Sequence, residues 1–297
     1  MKRPLVAATL FLAGIVGCGR GNGSGTHSPQ RKVTTRAENL ASARKQFVTK
    51  LLVRGPAPQR YQEGEPPANV KLVYYASANL KLKGWLSADA ADGRKRPAVV
   101  FLHPDWALQA GVWKDAEAFA KAGFVLFIPM LRGENGNPGI YESFLGEAED
   151  AIAAGRFVSS LPNVDGQNIF VVGHSVGGVL TCLVSMLPSS YKAAAAFGGY
   201  VDMDAWVSEA PEAFIPYDRT DDEEVKVRNP MAFVASIRCP LRLYAGPDER
   251  EVNAALAARA RLAEKDCELV VVQGNHAAMV VPAIQEAIAW FRQLASK

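Results

Sequence analysis

Cysteine and histidine are scarce in this sequence, and their scarcity excludes several kinds of protein. The chain of 297 residues has four cysteines and four histidines. The cysteine content is consistent with an exported protein without proving it, and the spacing of the cysteines relative to the histidines does not fit a zinc site. The sequence also lacks a glycine-rich phosphate-binding loop. We therefore predict no metal and no cofactor.

An excess of charge of one sign is also lacking. Lysine and arginine number 33, aspartate and glutamate number 30, and the net charge is +3 with both signs distributed along the chain. Proteins that bind nucleic acids need clustered basic residues. We therefore expect no nucleic-acid partner, and the composition leaves the oligomeric state open.

Long hydrophobic runs are missing except at the N-terminus. An apolar run over residues 5–17 follows Met-Lys-Arg-Pro, which is typical of a secretory signal and too short for a membrane-spanning helix. The run ends in Ile-Val-Gly-Cys, which resembles the lipobox of bacterial lipoproteins. That resemblance implies removal of residues 1–17 and lipidation of Cys18, and Gly19 then favours the outer membrane. We expect a lipid-anchored protein of the cell envelope that faces the periplasm or the surface. An ordinary signal peptide that contains a cysteine is the alternative.

Residues 18–67 are expected to form a flexible tether. Glycine and serine dominate residues 19–25, and four prolines interrupt the chain between residues 56 and 67. Residues 35–54 have helical character, so the tether contains one loosely docked helix. The remaining residues, 68–297, form one domain, which is large enough to bury a core without disulfides.

Strands and helices alternate from Val70 onward, a pattern typical of α/β proteins with a mostly parallel sheet. Predicted strands such as residues 124–128 are apolar throughout, as expected where helices cover both faces of a sheet. The predicted strands span residues 70–77, 80–87, 98–102, 124–128, 168–172, 193–197, 241–245 and 268–272, and the first two form a hairpin. The predicted helices span residues 112–122, 143–160, 177–187, 231–236, 251–264 and 278–295. The fold class is therefore α/β, with an eight-stranded sheet between two layers of helices.

The sequence Gly-His-Ser-Val-Gly at residues 173–177 joins one of these strands to the next helix. GxSxG between a strand and a helix is typical of a nucleophile elbow, a sharp turn that exposes the serine hydroxyl. The short pattern also arises by chance, but both flanking elements are present here. Ser175 is the candidate nucleophile, and the backbone amide of Val176 is expected to stabilise an oxyanion.

A nucleophilic serine needs a base, and in this type of fold the order along the chain is serine, then acid, then histidine. Only His276 among the four histidines follows Ser175. It lies in a loop beyond a strand, at the sheet edge where ligands bind in α/β proteins. A histidine that merely caps the last helix is the alternative. The acid is Glu249 or Asp248, and spacing from the preceding glycine favours Glu249.

The second oxyanion donor is expected from the loop that follows the third strand. This loop reads His103-Pro104-Asp105-Trp106. Because proline has no amide hydrogen, the donor must be the amide of Asp105 or of Trp106. A structural role is expected for His103.

Together these features resemble the α/β-hydrolase superfamily, in its prolyl oligopeptidase or dienelactone hydrolase branch. The resemblance rests on residues 173–178, on His276, and on Arg-Gly within residues 131–139, which is similar to a segment after the fourth strand of prolyl oligopeptidases. It covers residues 68–297, with His-Pro in place of the usual His-Gly after the third strand. It implies an α/β-hydrolase catalytic domain, and no preceding β-propeller is expected.

The same resemblance implies that residues 198–230 form a small cap. This interval is irregular in pattern and rich in aromatic and acidic residues. Trp206 and Phe214 are expected to line the substrate pocket. The acidic run at residues 221–224 is expected to be a solvated turn.

The resemblance implies a serine hydrolase that cleaves an ester or a peptide bond through an acyl-enzyme on Ser175. Small esters and short peptides are the expected substrates. A noncatalytic envelope lipoprotein that uses the pocket for binding is the alternative. A dienelactone-type enzyme with a cysteine nucleophile is disfavoured, because serine occupies the elbow.

Three cysteines remain besides Cys18. Cys239 and Cys267 precede strands that are expected to be neighbours, so they are a candidate disulfide pair in an oxidising compartment. Cys182 is expected to be a small buried apolar residue.

Overall fold

The computed structural model describes residues 39–61, 64–88 and 92–296. The predicted signal peptide, Cys18 and the glycine-rich part of the tether lie outside the described residues. None of the described helices is long and apolar enough to cross a membrane.

The core of the domain is a single sheet of eight strands, as predicted. The strand order is β1-β2-β4-β3-β5-β6-β7-β8. β1 and β2 form an antiparallel hairpin, β2 is also antiparallel to β4, and every later pairing is parallel. The bounds are β1 (Val70–Ser77), β2 (Leu80–Ser87), β3 (Arg96–Leu102), β4 (Val125–Pro129), β5 (Val164–His174), β6 (Ala193–Phe197), β7 (Leu241–Ala245) and β8 (Cys267–Val271).

Helices cover both faces of the sheet and produce two buried apolar layers. One layer contains residues of α3, α4 and α7, and the other contains residues of α2 and α8. The helices are α1 (Leu40–Gln46), α2 (Val112–Lys121), α3 (Gly146–Ser159), α4 (Val176–Met186), α5 (Met203–Glu209), α6 (Asp222–Lys226), α7 (Arg250–Leu262) and α8 (Val280–Ala295), with 3-10 turns at Pro230–Ser236 and Pro247–Glu249. Apolar strands such as β4 are buried along their whole length, which explains the absence of alternation in their sequences.

One predicted helix begins later than its sequence suggested. We predicted a start at residue 143, but α3 starts at Gly146. Ser143 and Phe144 have φ angles of 53° and 73°, values that an α-helix does not allow. The chain therefore turns sharply at these two residues before the helix forms.

The interval at residues 198–230 is more ordered than predicted, because it contains α5 and α6. Aspartates cap both helices: Asp202 accepts a hydrogen bond from the amide of Ala205, and Asp221 accepts from two amides of the first turn of α6. The prediction of a solvated acidic turn at residues 221–224 was wrong for Glu224. That side chain is buried and forms an ion pair with Arg228, with 2.6 Å between Oε2 and Nη1.

Residues 39–61, which we call the N-terminal strap, belong to the segment expected to be a tether, yet they pack closely on the domain. Leu40 is fully buried, and its amide donates to Ser236 Oγ. Arg44 donates to the backbone carbonyls of Phe144, Leu145 and Val227, so it satisfies the acceptors of the sharp turn before α3. Through Arg44 in α1, the strap is thus hydrogen bonded to the turn that precedes α3.

The three described cysteines are free thiols, so the disulfide between Cys239 and Cys267 is not formed. In the register of β7 and β8, Cys267 lies opposite Leu241, two residues beyond Cys239. Burial raises the pKa of both thiols to about 12. Cys182 is fully buried in α4, as predicted.

The buried leucine of α1 provides a test of how firmly the strap is attached. We expect Leu40→Ala to lower the free energy of unfolding by about 2–5 kcal/mol, because it removes a fully buried side chain. Leu52→Ala in the same strap is the matched control, since Leu52 is 71% exposed, and its effect should be near zero. Chemical denaturation measures both variants. Equal stabilities would mean that α1 is not part of the cooperative fold.

Candidate active site

Ser175 lies at the sharp turn between β5 and α4, and its backbone is strained. Its φ and ψ angles are 55° and −115°, a conformation that is uncommon for any residue except glycine. The turn is held because the Ser175 amide donates to the carbonyl of Phe197 at 2.9 Å. A Cβ atom at Gly173 would lie 2.1 Å from the carbonyl oxygen of Gly177. The first glycine of the motif is therefore required by close backbone packing, and the structure has the elbow that the sequence predicted.

His276 and Glu249 come together at the same edge of the sheet. Glu249 ends the 3-10 turn after β7, His276 lies in the loop after β8, and Nδ1 of His276 is hydrogen bonded to Oε1 of Glu249. Asp248, the other candidate acid, is exposed. The short turn directs Glu249 inward, which spacing alone did not determine.

Gly198 provides the space for this pair. It follows β6 and has a φ of +54°. A Cβ atom on Gly198 would lie 2.8 Å from Oε2 of Glu249 and 3.1 Å from Nδ1 of His276. A larger residue there would collide with both side chains.

The hydroxyl of Ser175 has no hydrogen bond to His276 within the described part of the chain. Bonds of this kind are often long in unliganded enzymes and tighten when substrate binds. Both side chains are half-buried, so a substrate can reach the space between them.

His174 contacts the same histidine from the side of the elbow, a role that the sequence did not reveal. Its Nε2 lies 2.9 Å from the backbone carbonyl oxygen of His276, and the two ring centroids are 4.6 Å apart. Burial, and then the neighbouring His276, lower the pKa of His174 to about 4. The ring is therefore neutral at ordinary pH and donates its Nε2 hydrogen to the carbonyl.

The two loop amides left open by the sequence differ in the structure. The amide of Trp106 donates to Oε1 of Gln59 in the N-terminal strap at 2.7 Å. The amide of Asp105 has no hydrogen-bond acceptor among the described residues. The amide of Val176 donates to the carbonyl of Pro104 at 3.3 Å, a distance beyond the usual range. Asp105 is thus the free donor of the loop, and Gln59 is a site residue that the sequence did not suggest.

His103 is a structural histidine, as predicted. It is buried, and its Nε2 lies 2.9 Å from Oε2 of Glu134, which also accepts from the amide of Leu131. Burial acts to lower the pKa of His103, but the charge and hydrogen bond of Glu134 outweigh it and raise the pKa above its usual value. The pair ties the loop after β3 to the loop after β4.

Aromatic side chains form a wall beside the loop at residues 103–106. The ring of Trp106 lies 5.6 Å from that of Tyr141 and 5.7 Å from that of Phe144, and Tyr141 lies 6.1 Å from Phe214. Phe214 is partly exposed and so joins the wall from the cap side. Trp206, the other predicted pocket residue, lies in α5 and packs against the main apolar core.

The described residues contain no cluster of three or more His, Cys, Asp or Glu side chains that could hold a metal ion. The reactive groups that the described site does present are the serine hydroxyl, the imidazole of His276 and the carboxylate of Glu249.

Comparison with known proteins gives one family and several structural relatives. A sequence model described as the prolyl oligopeptidase family matches residues 112–297. The uncharacterized peptidase YtmA of Bacillus subtilis is 30% identical over 202 residues, which cover 63% of this chain and 77% of YtmA.

The solved structures that resemble this chain are peptidases and esterases. Acylaminoacyl peptidase of Pyrococcus horikoshii has a TM-score of 0.59 at 15% identity, and a puromycin-hydrolyzing peptidase of Mycobacterium tuberculosis has 0.63 at 19%. The similarity covers 76% and 77% of this chain but only 40% of each peptidase. Est2, an esterase of Thermogutta terrifontis, has 0.60 at 20%, with 76% of this chain and 95% of the esterase covered. At these identities the structural likeness shows the shared fold.

The low pKa of His174 predicts how acid affects stability. The unfolded chain binds a proton at His174 below pH 6.5, whereas the folded chain binds it only below about pH 4. Between these values the unfolded state holds more protons, so stability falls as the pH falls, by up to about 1.4 kcal/mol per pH unit. Between pH 6.5 and 5 we expect the free energy of unfolding of His174→Gln to fall by roughly 1.5 kcal/mol less than that of wild type. Urea denaturation at both pH values measures the free energy of unfolding. Equal losses in wild type and His174→Gln would contradict the lowered pKa of His174.

Proposed function

Because this chain belongs to the prolyl oligopeptidase family and is a serine hydrolase acting on peptide or ester bonds, we propose that Ser175 is its nucleophile, His276 its general base and Glu249 the acid that orients His276. The contact between His276 Nδ1 and Glu249, placed at the sheet edge next to the strained Ser175, carries the assignment.

The proposed reaction begins when Ser175 Oγ attacks the carbonyl carbon of the substrate and His276 Nε2 takes the hydroxyl proton. Glu249 fixes the tautomer that leaves Nε2 free and stabilises the imidazolium that forms. The tetrahedral intermediate then expels its amine or alcohol, which takes the proton from His276. Water, activated by His276 in the same way, hydrolyses the acyl-serine and regenerates the free enzyme.

The amides of Val176 and Asp105 are the proposed donors to the oxyanion. The carbonyl of Pro104 faces the amide of Val176. Because the C=O and N–H of a trans peptide point in opposite directions, the N–H of Asp105 points away from the amide of Val176 in this structure. Rotation of the peptide between Pro104 and Asp105 would free the Val176 amide. The same rotation would turn the Asp105 N–H to the side of the Val176 amide, where both can donate to one oxyanion. Gln59 meanwhile holds the next amide, that of Trp106, in place.

The substrates that we propose are small esters or short peptides with an apolar or aromatic group. The wall of Trp106, Tyr141, Phe144 and Phe214 provides apolar surface next to the oxyanion loop. Ordered aromatic surface binds apolar groups well, because burial removes it from water. The relatives include both a peptidase and an esterase by name, which supports testing both bond types.

Labelling with a fluorophosphonate probe tests the triad. We expect wild type to label, Ser175→Ala and His276→Ala to lose labelling, and Glu249→Gln to label about 10²–10⁴-fold more slowly. Asp248→Asn is the matched variant for the acid, since Asp248 is the neighbouring exposed carboxylate, and it should label at the wild-type rate. A loss in Asp248→Asn with full activity in Glu249→Gln would reverse the acid assignment.

The same proteins can then be offered p-nitrophenyl acyl esters and aminoacyl p-nitroanilides. Turnover that disappears in Ser175→Ala identifies the preferred bond. A folded wild type that neither labels nor turns over would contradict the catalytic assignment and favour the noncatalytic binding protein.

We also propose that the protein is anchored to the outer membrane through lipid on Cys18, facing the periplasm or the surface. Support comes from the apolar run before Ile-Val-Gly-Cys and from Gly19 in the sequence. We expect the full chain to incorporate radiolabelled palmitate and to fractionate with membranes, and Cys18→Ser to lose both properties. Cys182→Ser, which alters a buried thiol in α4, is the control and should keep the label. Equal labelling of the Cys18→Ser variant would contradict the anchor.

A further inference from the structure

Among the described residues, His174 is the buried histidine that contacts the proposed base, and the mechanism above does not use it. We propose that His174 is a positioning residue for His276, holding the backbone of the base through a hydrogen bond and its ring through a tilted ring contact. This inference rests on the proposed function. It concerns how His276 is oriented, since His174 itself need not touch the substrate.

The hydrogen bond fixes the backbone of the loop that carries the base. A carbonyl oxygen only accepts, so the 2.9 Å contact from His174 Nε2 to the His276 carbonyl requires the Nε2–H tautomer. Two other hydrogen bonds next to His276 stay within its own segment: the side chain of Asn275 accepts from the amide of Ala278, and the carbonyl of Asn275 accepts from the amide of Met279. The bond from His174 therefore ties the base directly to the residue that precedes the nucleophile.

The imidazole ring of His174 restricts the side chain of His276. The two imidazoles lie 4.6 Å apart at 37°. The charged or titratable groups that face this pair are the two rings themselves and Glu249, which binds the far side of His276. With Glu249 on Nδ1 and His174 on one ring face, His276 has little freedom to rotate away from Ser175.

His174 also has to stay neutral for this role. When His276 accepts the serine proton it becomes a cation, and a second cation at 4.6 Å would oppose that step. Burial and the nearby His276 lower the pKa of His174 to about 4. At neutral pH His174 is therefore uncharged and keeps the hydrogen that its bond requires.

Three substitutions separate the two contacts. His174→Gln keeps an N–H donor near the position of Nε2, His174→Phe keeps a ring but has no donor, and His174→Ala removes both. Because displacement of a catalytic group by about 1 Å can cost 10²-fold, we expect fluorophosphonate labelling to slow by roughly 10–100-fold in His174→Ala. His174→Gln should stay within about threefold of wild type, and His174→Phe should fall between them.

Val172→Ala is the matched control for a general loss of packing. Val172 is fully buried two residues earlier in β5, on the same face of the strand as His174. It should lower stability in denaturation experiments without slowing the labelling of the folded protein. A slowing equal to that of His174→Ala would mean that strand packing, and not contact with His276, matters.

A second readout is independent of catalysis. The proton between His276 Nδ1 and Glu249 should give a far-downfield proton resonance in wild type, Val172→Ala and His174→Gln, and His174→Ala should broaden or abolish it. An unchanged resonance together with an unchanged labelling rate in His174→Ala overturns the inference. If wild type does not label but the resonance is lost in His174→Ala and kept in Val172→Ala and His174→Gln, the proposed function fails while the positioning role stands.

Discussion

The strained backbone of Ser175 is the constraint on which the rest of the site depends. A φ of 55° in a residue with a side chain costs free energy, and the surrounding structure has to maintain it. The amide of Ser175 is held by β6 and the preceding glycine packs against the first turn of α4. β5, β6 and α4 therefore form one rigid unit, and the loops after β3, β7 and β8 present their side chains to it.

Buried polar contacts hold the other half of the site in place. Arg44 satisfies the carbonyls of the turn before α3, and Arg228 joins Glu224, Thr49 and the backbone of Glu142. These bonds connect the N-terminal strap, the cap helices and the loop that supplies Tyr141 and Phe144. An arginine with several acceptors in a buried place fixes orientation better than an apolar contact, since its donors have a rigid planar geometry. Trp106, Tyr141 and Phe144 of the aromatic wall are consequently packed into the folded core, whereas Phe214 is partly exposed.

The sequence was sufficient for the features that depend on local pattern. The strands of the sheet, the elbow around Ser175 and the loop position of His276 follow from apolar runs, glycine spacing and chain order. Features that depend on turn geometry could not be predicted from these local patterns. The choice of Glu249 over Asp248 depends on a three-residue 3-10 turn, and the late start of α3 depends on two positive φ angles. The helices α5 and α6 were missed because each is short and relies on an aspartate cap within a segment of irregular pattern.

Contacts between distant parts of the chain were the hardest to anticipate. His174 and His276 are 102 residues apart, and Gln59 and Trp106 are 47 apart. No periodicity or motif links such pairs. The one signal in the sequence is that His174 adjoins Ser175 within the Gly-His-Ser-Val-Gly motif.

The bond between Gln59 and Trp106 has a consequence for how this enzyme is delimited. The family match begins at residue 112, which is after three of the eight strands and after the whole oxyanion loop. A fragment cut to that match would keep Ser175, Glu249 and His276 but lose Asp105 and the side chain that steadies its neighbour. The proposed site therefore extends beyond the segment that the family model matches. Substitutions at residue 59 should covary with substitutions in the loop at residues 104–106 among homologues of this sequence.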